Sequence, residues 1–403
     1  MMDDIYIARQ PIYDRALKLV GYELLYRNSH DNYAQFEDGK KASSDAIVNS
    51  FIHIGIDNLV GTSLAFVNLP TEFIVDNDLV PMFHEQSVLE ILEDVEPTDE
   101  VIAGIKSFKD KGYKIALDDF VLSEDKHAFL PLADFVKVDV LDYSDEQLIG
   151  IVTELRKYDV ELVAEKVETQ RLFQQCKALD FDYYQGYFFC RPQLVTEKNM
   201  PASKLVVLNL IAKLQNPDAE ISEIESVLTN DVALSYKLLR YINSAAFSLR
   251  REIESIKDAV VLLGLATVKN WASLILMSRV ADDKPQQLVI TALVRAKMAE
   301  LLAEKEIPGH DKQAFICGLF SVLDALMDRP MIDLLDTVIL STQIKLALLD
   351  HDGELGQLLE NTIFYEQANF DALHQKQVNT ELYYESYMAA IKWADETVKE
   401  LSD

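Results

Sequence analysis

The sequence predicts two domains of different class, an α/β domain followed by an all-α domain. Three observations lead there. The chain has 403 residues, more than one ordinary core holds. Its first half alternates short apolar runs with helical stretches, the pattern of parallel βαβ units. Between Pro192 and Pro201 the strand patterns give way to helical spacing. The α/β domain is therefore placed at residues 1–198 and the all-α domain at 199–403.

The elements follow in order. "IYIARQPIYDRALKLVGYELLYR" holds two strand-like runs around a turn-rich stretch and predicts a hairpin. "LAFVNLP", "SVLEIL", "YKIALDDF", "ADFVKVDV" and "VELVAEKVE" each predict a buried strand ending in a polar residue. "TDEVIAGIKSFKDKG" predicts a helix with a Thr-led start, an acidic first turn and a glycine stop. "YSDEQLIGIVTELRKYD" and "ETQRLFQQCKALDFD" predict two more. In the second half, runs from "SKLVVLNLIAKLQ" to "QQLVITALVRAKMAELLAEKE" all show helical spacing. The tail from Gln367 onward is polar and helical in pattern, with packing on the bundle or projection from it both open.

Composition narrows the function. Hydrophobic residues make up 49% of the chain, so both domains can bury a core. The net charge of -29 argues against a general nucleic-acid surface and against docking on an anionic membrane. It leaves room for a local basic pocket that takes one nucleotide. Cys176, Cys190 and Cys317 fit neither a disulfide framework nor a zinc site. "MMDDIYIARQ" lacks the pattern of a signal peptide, and no apolar run is long enough to span a membrane. The expected location is the cytoplasm.

In a parallel barrel, functional residues sit at the C-terminal ends of the strands. Polar residues recur there: Glu23, Asn68, Glu90, Asp118 and Asp119, Lys137 and Asp139, Glu165 and Glu168, then Gln185. A ring of carboxylates with one amide oxygen suits Mg²⁺ or Mn²⁺. Two such ions can activate a water and cradle a phosphodiester. Lys166 interrupts the set between Glu165 and Glu168. Its amine either pairs with the acids in place of a cation or points to solvent.

The ordered set "YELLYR", "VNLP", "LEILED", "ALDDF", "VKVD", "VAEKVET" and "QGYFFCRP" resembles the EAL family across residues 5–192. That resemblance implies a cyclic-di-GMP phosphodiesterase on a modified TIM (β/α) barrel whose first strand runs antiparallel. It implies Glu23, Asn68, Glu90 and Asp118 as metal ligands, with Asp119 at the second ion. It makes Lys137 the residue that orients the attacking water, Glu165 the base or a ligand, and Glu168 its support. Arg27 would meet a phosphate, with Asp139 and Gln185 on the dinucleotide side. The chain departs from the family in four ways. "EAL" is "ELL"; the loop "DDFGTGYSSL" is "DDFVLSEDKHAFL"; the glycine of "EGVE" is Lys166; and the barrel is short, with elements trimmed. Two readings follow: a degenerate domain serving as scaffold or receptor, or an active enzyme that makes linear pGpG.

The second half reads first as amphipathic helices. Asp231 and Ser235 read as helix starts, Gly264 as a stop, and Asn243 and Ser244 as a helix end. Met277, Met298, Met327, Met331 and Trp271 read as core. The segment from Leu205 to Ser278 resembles the HDOD domain, a helical relative of HD phosphohydrolases. A metal-binding HD site needs histidines, yet Asp324 in "GLFSVLDALM" has none beside it, and His310 lies in a loop-like stretch. The resemblance therefore implies a domain without cofactor that binds a protein partner or a second copy of itself. Together the two domains imply a bacterial signalling regulator of motility or biofilm formation.

Overall fold

The computed structural model describes residues 5–28, 56–76, 85–123, 125–187, 202–216, 218–243, 253–279, 281, 284–338 and 340–402. The chain divides into two compact units, residues 1–188 and 189–403. The junction expected at 198 lies outside the described residues, as do Cys190 and Ser244.

The first unit is a closed barrel of eight strands in chain order. β1 (Ile5–Asp14) and β2 (Leu19–Asn28) form the expected hairpin. The Asp14 carboxylate accepts from the Ala16 and Lys18 amides and shapes the turn between them. β3 (Leu64–Leu69), β4 (Ser87–Ile91), β5 (Lys114–Leu117), β6 (Phe135–Asp139), β7 (Glu161–Glu165) and β8 (Tyr183–Gln185) run parallel to β2. β1 runs against both β2 and β8 and closes the cylinder.

The outer helices begin where side-chain caps dictate. α1 (Ile56–Val60) and α2 (Thr71–Val75) are single turns, and the expected trimming between β2 and β4 falls largely on residues 29–55 and 77–84, outside the described residues. Thr98 caps α3 (Asp99–Asp110) by accepting from the Val101 amide, and Gly112 ends it at φ +92°. Ser144 opens α4 (Asp145–Leu155) with a capping box to Gln147, and Thr169 caps α5 (Gln170–Ala178). Gly104 lets α3 approach α2, since a Cβ there would lie 1.9 Å from the Ile74 carbonyl oxygen.

The barrel interior is layered. Ile12, Phe66, Val88, Ala116, Phe135 and Val163 form one apolar plug, with Phe66 and Phe135 edge to face at 5.3 Å. Side chains two residues apart on a strand share a face. Two residues beyond these plug positions come Asn68, Glu90, Asp118, Lys137 and Glu165. The pleat therefore sets the polar residues as the next layer, above a dry floor.

The second unit is helical. It holds α6 (Ala202–Gln215), α7 (Ile221–Asn230), α8 (Val232–Ile242), α9 (Ile256–Leu263), α10 (Leu265–Arg279) and α11 (Gln286–Glu306). It continues through α12 (Asp311–Phe320), α13 (Leu323–Met327), α14 (Met331–Thr337), α15 (Thr342–Asp350), α16 (Gly353–Glu366), α17 (Phe370–Gln375) and α18 (Thr380–Ser402). α11 is buried along most of its length and packs against α12, α16 and α18. The tail packs on the bundle, burying Tyr383, Tyr387, Ala390, Ile391 and Ala394. Asp231 caps α8 and pairs with Arg279, and Gly264 stops α9 at φ +82°. Ser235 is a correction: it lies inside α8, where its hydroxyl donates to the Leu228 carbonyl at 2.6 Å. The Asn243 amide clamps Ile253 through both backbone groups, at 2.8 and 2.9 Å. Met277, Met298 and Met327 are core and Met331 is half-buried. Among the described residues, no helix is long and apolar enough to cross a membrane.

Candidate functional site

The polar layer converges on Lys137. β6 carries this lysine into the barrel, where its side chain is fully buried. Its Nζ lies 2.5 Å from Asp118, 2.8 Å from Glu90, 2.9 Å from Glu165 and 3.1 Å from Glu23. Four strands or strand ends thus place four acids around one ammonium. Glu23 is a partial correction to the strand-end rule, because it sits mid-way along β2. That strand pairs with β3 only from Gly21 to Leu24 and overruns the rim as part of the hairpin. Measured against the barrel, Glu23 is still at the rim. Its carboxylate also accepts from the Gln185 amide, which in turn donates to Gln10 at 3.0 Å.

The electrostatics follow from burial. Four carboxylates share one ammonium, so the ring carries surplus negative charge in a poorly hydrated place. Burial pushes Glu90 well above its ordinary value despite Lys137. Burial raises Glu165 to about 8, with Lys137 opposing and Asp118 and Glu23 assisting. Burial pulls Lys137 down, but Glu165, Glu23, Glu90 and Asp118 outweigh it and hold the amine well above its usual range. Lys137 is therefore a permanent cation, while Glu90 and Glu165 hold protons more readily than ordinary carboxylates.

The residues fit a hard cation. One carboxylate oxygen each from Glu23, Glu90 and Asp118 lie within 4.8 Å of one another. Glu90 Oε2 and Glu165 Oε2 are buried and have no hydrogen-bond partner. Orphaned carboxylate oxygens facing a polar layer are ready ligands for Mg²⁺ or Mn²⁺. Asn68 stands directly opposite Glu90 in the β3–β4 register, at the same level as the ring.

A second set lies one step further out. Asp139 follows Lys137 by two residues on β6, and Asp119 follows Asp118 past β5. The Lys166 ammonium pairs with Asp139 and lies 3.8 Å from Asp119. Asp139 also accepts from the Leu141 amide at 2.9 Å. Burial raises Asp119 and Lys166 opposes the shift. Lys166 thus belongs to the mouth and not to the ring, while its side chain remains 53% exposed. Both sequence readings of this lysine hold a part: it pairs with acids and it also meets solvent. Its backbone is left-handed, φ +54°, which costs a non-glycine residue about 1 kcal/mol or more. Val167 imposes that turn, because it is fully buried and its amide donates to the Gln185 carbonyl at 2.9 Å.

The other expected residues are placed as follows. Gln185 ends β8 beside Glu23. Glu168 is exposed beyond β7. Arg27 lies on β2 opposite Tyr6, and its side chain is outside the described residues. Gln10 is the site residue that sequence reading missed. Its one signal is a polar residue in the apolar run of β1, opposite Glu23.

In the helical unit, Asp324 is half-buried in α13, and desolvation pushes it up to about 6. Arg295 on α11 pairs with Glu366 at 2.8 Å and donates to the Ser321 hydroxyl. His310 is the N-cap residue of α12, half-buried. Among the described residues, the acid cluster in the barrel is the one group of three or more candidate ligands.

Comparisons with known proteins find two families on the chain. Residues 82–192 match the EAL domain family and residues 200–327 match the HDOD domain family. The cyclic di-GMP phosphodiesterase CdgJ of Vibrio cholerae is 33% identical over 376 residues, 92% of this chain and 87% of that protein. The uncharacterized protein YuxH of Bacillus subtilis is 32% identical over 400 residues, 96% of this chain and 98% of that protein. Similar solved structures include the Bacillus subtilis YkuI protein with an EAL domain, in complex with c-di-GMP and calcium. It is 21% identical, with a TM-score of 0.38, covering 64% of this chain and 72% of that one.

Proposed function

The chain belongs to the EAL–HDOD family, and from that premise we propose that it is a cyclic-di-GMP-linked signalling regulator. Its barrel takes a divalent cation and the dinucleotide at the acid ring, and its helical unit contacts a protein partner or a second copy of the chain. The output is binding, with turnover slow or absent, in a cytoplasmic setting such as the control of motility or biofilm formation. The observation that carries this reading is the convergence of Glu23, Glu90, Asp118 and Glu165 on Lys137, with buried carboxylate oxygens left to bind.

The roles follow from position. Glu23, Glu90 and Asp118, with Asn68, hold Mg²⁺ or Mn²⁺, and Asp119 faces the outer mouth. A bound divalent cation supplies charge for a phosphodiester oxygen and lowers the pKa of a bound water. Glu165 takes a proton from water, its raised pKa near the working pH. Lys137 would hold a positive charge beside the attacking water, and Glu168 would support Glu165. Arg27 meets a phosphate, and Asp139 and Gln185 orient the dinucleotide. Slow turnover follows from the segment after Asp119. It is free of glycine and folds as 3₁₀ turns, Asp125–Ala128 and Leu130–Leu132. Lys126 there donates to the Glu93 carbonyl and ties the segment to the end of β4.

A second reading is a working metal-dependent phosphodiesterase that yields pGpG. The complete acid set favours it, as does the name of the 33% identical relative. The two are separated by one pair of measurements on the full chain with Mn²⁺ or Mg²⁺. The first is the thermal shift on adding cyclic-di-GMP, and the second is the yield of linear dinucleotide. A regulator shows a shift that weakens in Arg27→Ala, with little product. An enzyme shows metal-dependent product that vanishes in Glu23→Ala. No shift and no product with either metal would remove both readings.

A further inference from the structure

The barrel mouth has two levels of acid, and each level already contains an ammonium. Glu23, Glu90, Asp118 and Glu165 surround Lys137. Asp119 and Asp139 surround Lys166. The levels are joined by covalent geometry, because Asp118 and Asp119 are consecutive and Asp139 pairs with Glu165 in the β6–β7 register. We propose that Lys166 is a built-in counter-ion that holds the outer of two cation positions. The chain then takes one divalent cation, at the ring, where the same acids without Lys166 take two. This rests on the reading of the ring as a metal site.

Three observations carry it. Lys166 bridges acids that come from two different strand ends, which an ordinary surface lysine has no cause to do. Asp139 is buried, and one oxygen is committed to the Leu141 amide, so its other oxygen requires a cation. Asp119 Oδ1 is buried and lacks a hydrogen bond, with the Lys166 ammonium at 3.8 Å as its nearby charge. Neighbouring carboxylates of this kind are what a pair of divalent ions uses. The backbone at residue 166 is left-handed, a conformation that glycine adopts freely. Lysine there is strained, held in place by buried Val167 on its C-terminal side and by the pairing of its ammonium with Asp139. Replacing it by glycine relieves the strain and vacates the outer position together.

The test is Mn²⁺ titration calorimetry on the full chain, comparing wild type, Lys166→Gly and the double variant Lys166→Gly with Asp119→Asn. Far-UV circular dichroism checks that all three are folded. The expected result is one more Mn²⁺ per chain in Lys166→Gly than in wild type, lost again in the double variant. Equal ion counts in wild type and Lys166→Gly would overturn the inference. An ion count of zero in wild type would instead overturn the reading of the ring. The difference between the two proteins decides the role of Lys166 in either case.

Discussion

Replacing Lys137 by methionine keeps most of the side-chain volume and removes the charge at the centre of the ring. The acids at 2.5, 2.8, 2.9 and 3.1 Å then face one another without a cation. Burial already favours a proton on Glu165 and Glu90, so the cheapest relief is to take up one further proton in place of the ammonium charge. Protonating an ordinary Glu at pH 7, against a pKa of about 4.3, costs about 3.7 kcal/mol. Breaking a buried ion pair by removing one partner typically costs about 3–5 kcal/mol, so the two routes agree. The penalty shrinks by roughly 1.4 kcal/mol for each pH unit of acidification while that proton is being taken up. Urea unfolding measures it, and the protein supplies a way to separate its units. Its two tryptophans, Trp271 and Trp393, both lie in the helical unit. Tryptophan emission therefore follows the helical unit, and far-UV circular dichroism follows both. Lys137→Met should move the barrel transition seen by dichroism and leave the tryptophan transition in place. Saturating Mn²⁺ should restore the variant, by about 2.7 kcal/mol at a hundred times its Kd. A barrel change below about 1 kcal/mol at pH 7 would refute the account of the ring as a charge-neutralised buried site.

Other outcomes follow from the same contacts. Glu165 holds a proton in the folded state between its ordinary 4.5 and about 8, whereas the unfolded chain has lost it. The folded state thus binds more protons there, and barrel stability should fall as pH rises through that window, by up to roughly 1.4 kcal/mol per unit. Glu90 shifts the same way, and Glu165→Gln should flatten the slope in urea titrations at pH 5 to 8. Gly318 lies where a Cβ would be 2.4 Å from the Arg295 carbonyl oxygen, so Gly318→Ala should destabilise the helical unit by about 1–3 kcal/mol. Tryptophan emission reads that loss. Asp231→Ala removes the cap of α8 and the Arg279 pair together, and should lower the same transition by about 1–2 kcal/mol.

Much of the fold was legible because its signals are local. Thr98, Ser144 and Thr169 announce their helices through hydroxyls that must accept from amides two or three residues on. The acids were legible because a carboxylate at the end of an apolar strand has few uses. Ser235 misled, since Asp231 a turn earlier is the stronger cap and leaves the Ser235 hydroxyl to donate to the Leu228 carbonyl of α7. The centre of the ring was not legible. Which of Lys137 and Lys166 enters the barrel depends on strand phase and on the left-handed turn that buried Val167 imposes. Phase is readable only by counting from the plug: Phe135 is a floor residue, so Lys137 points inward above it. The turn at Lys166 is set by β8, a strand that contributes nothing to the local sequence signal.

The way the barrel closes has a consequence during synthesis. β1 is the first stave made, and one of its two neighbours is β8, the last. Their seam consists of Ile12, Tyr13 and Asp14 against Gln185, Tyr184 and Tyr183. A nascent chain on the ribosome can zip the hairpin and add parallel strands as they emerge. The cylinder itself stays open until about residue 185 has cleared the exit tunnel. Until then two strand edges are bare, and the ring acids lack their final walls. A stall in translation within α5 would leave that open sheet exposed, and a chaperone would find its natural client there.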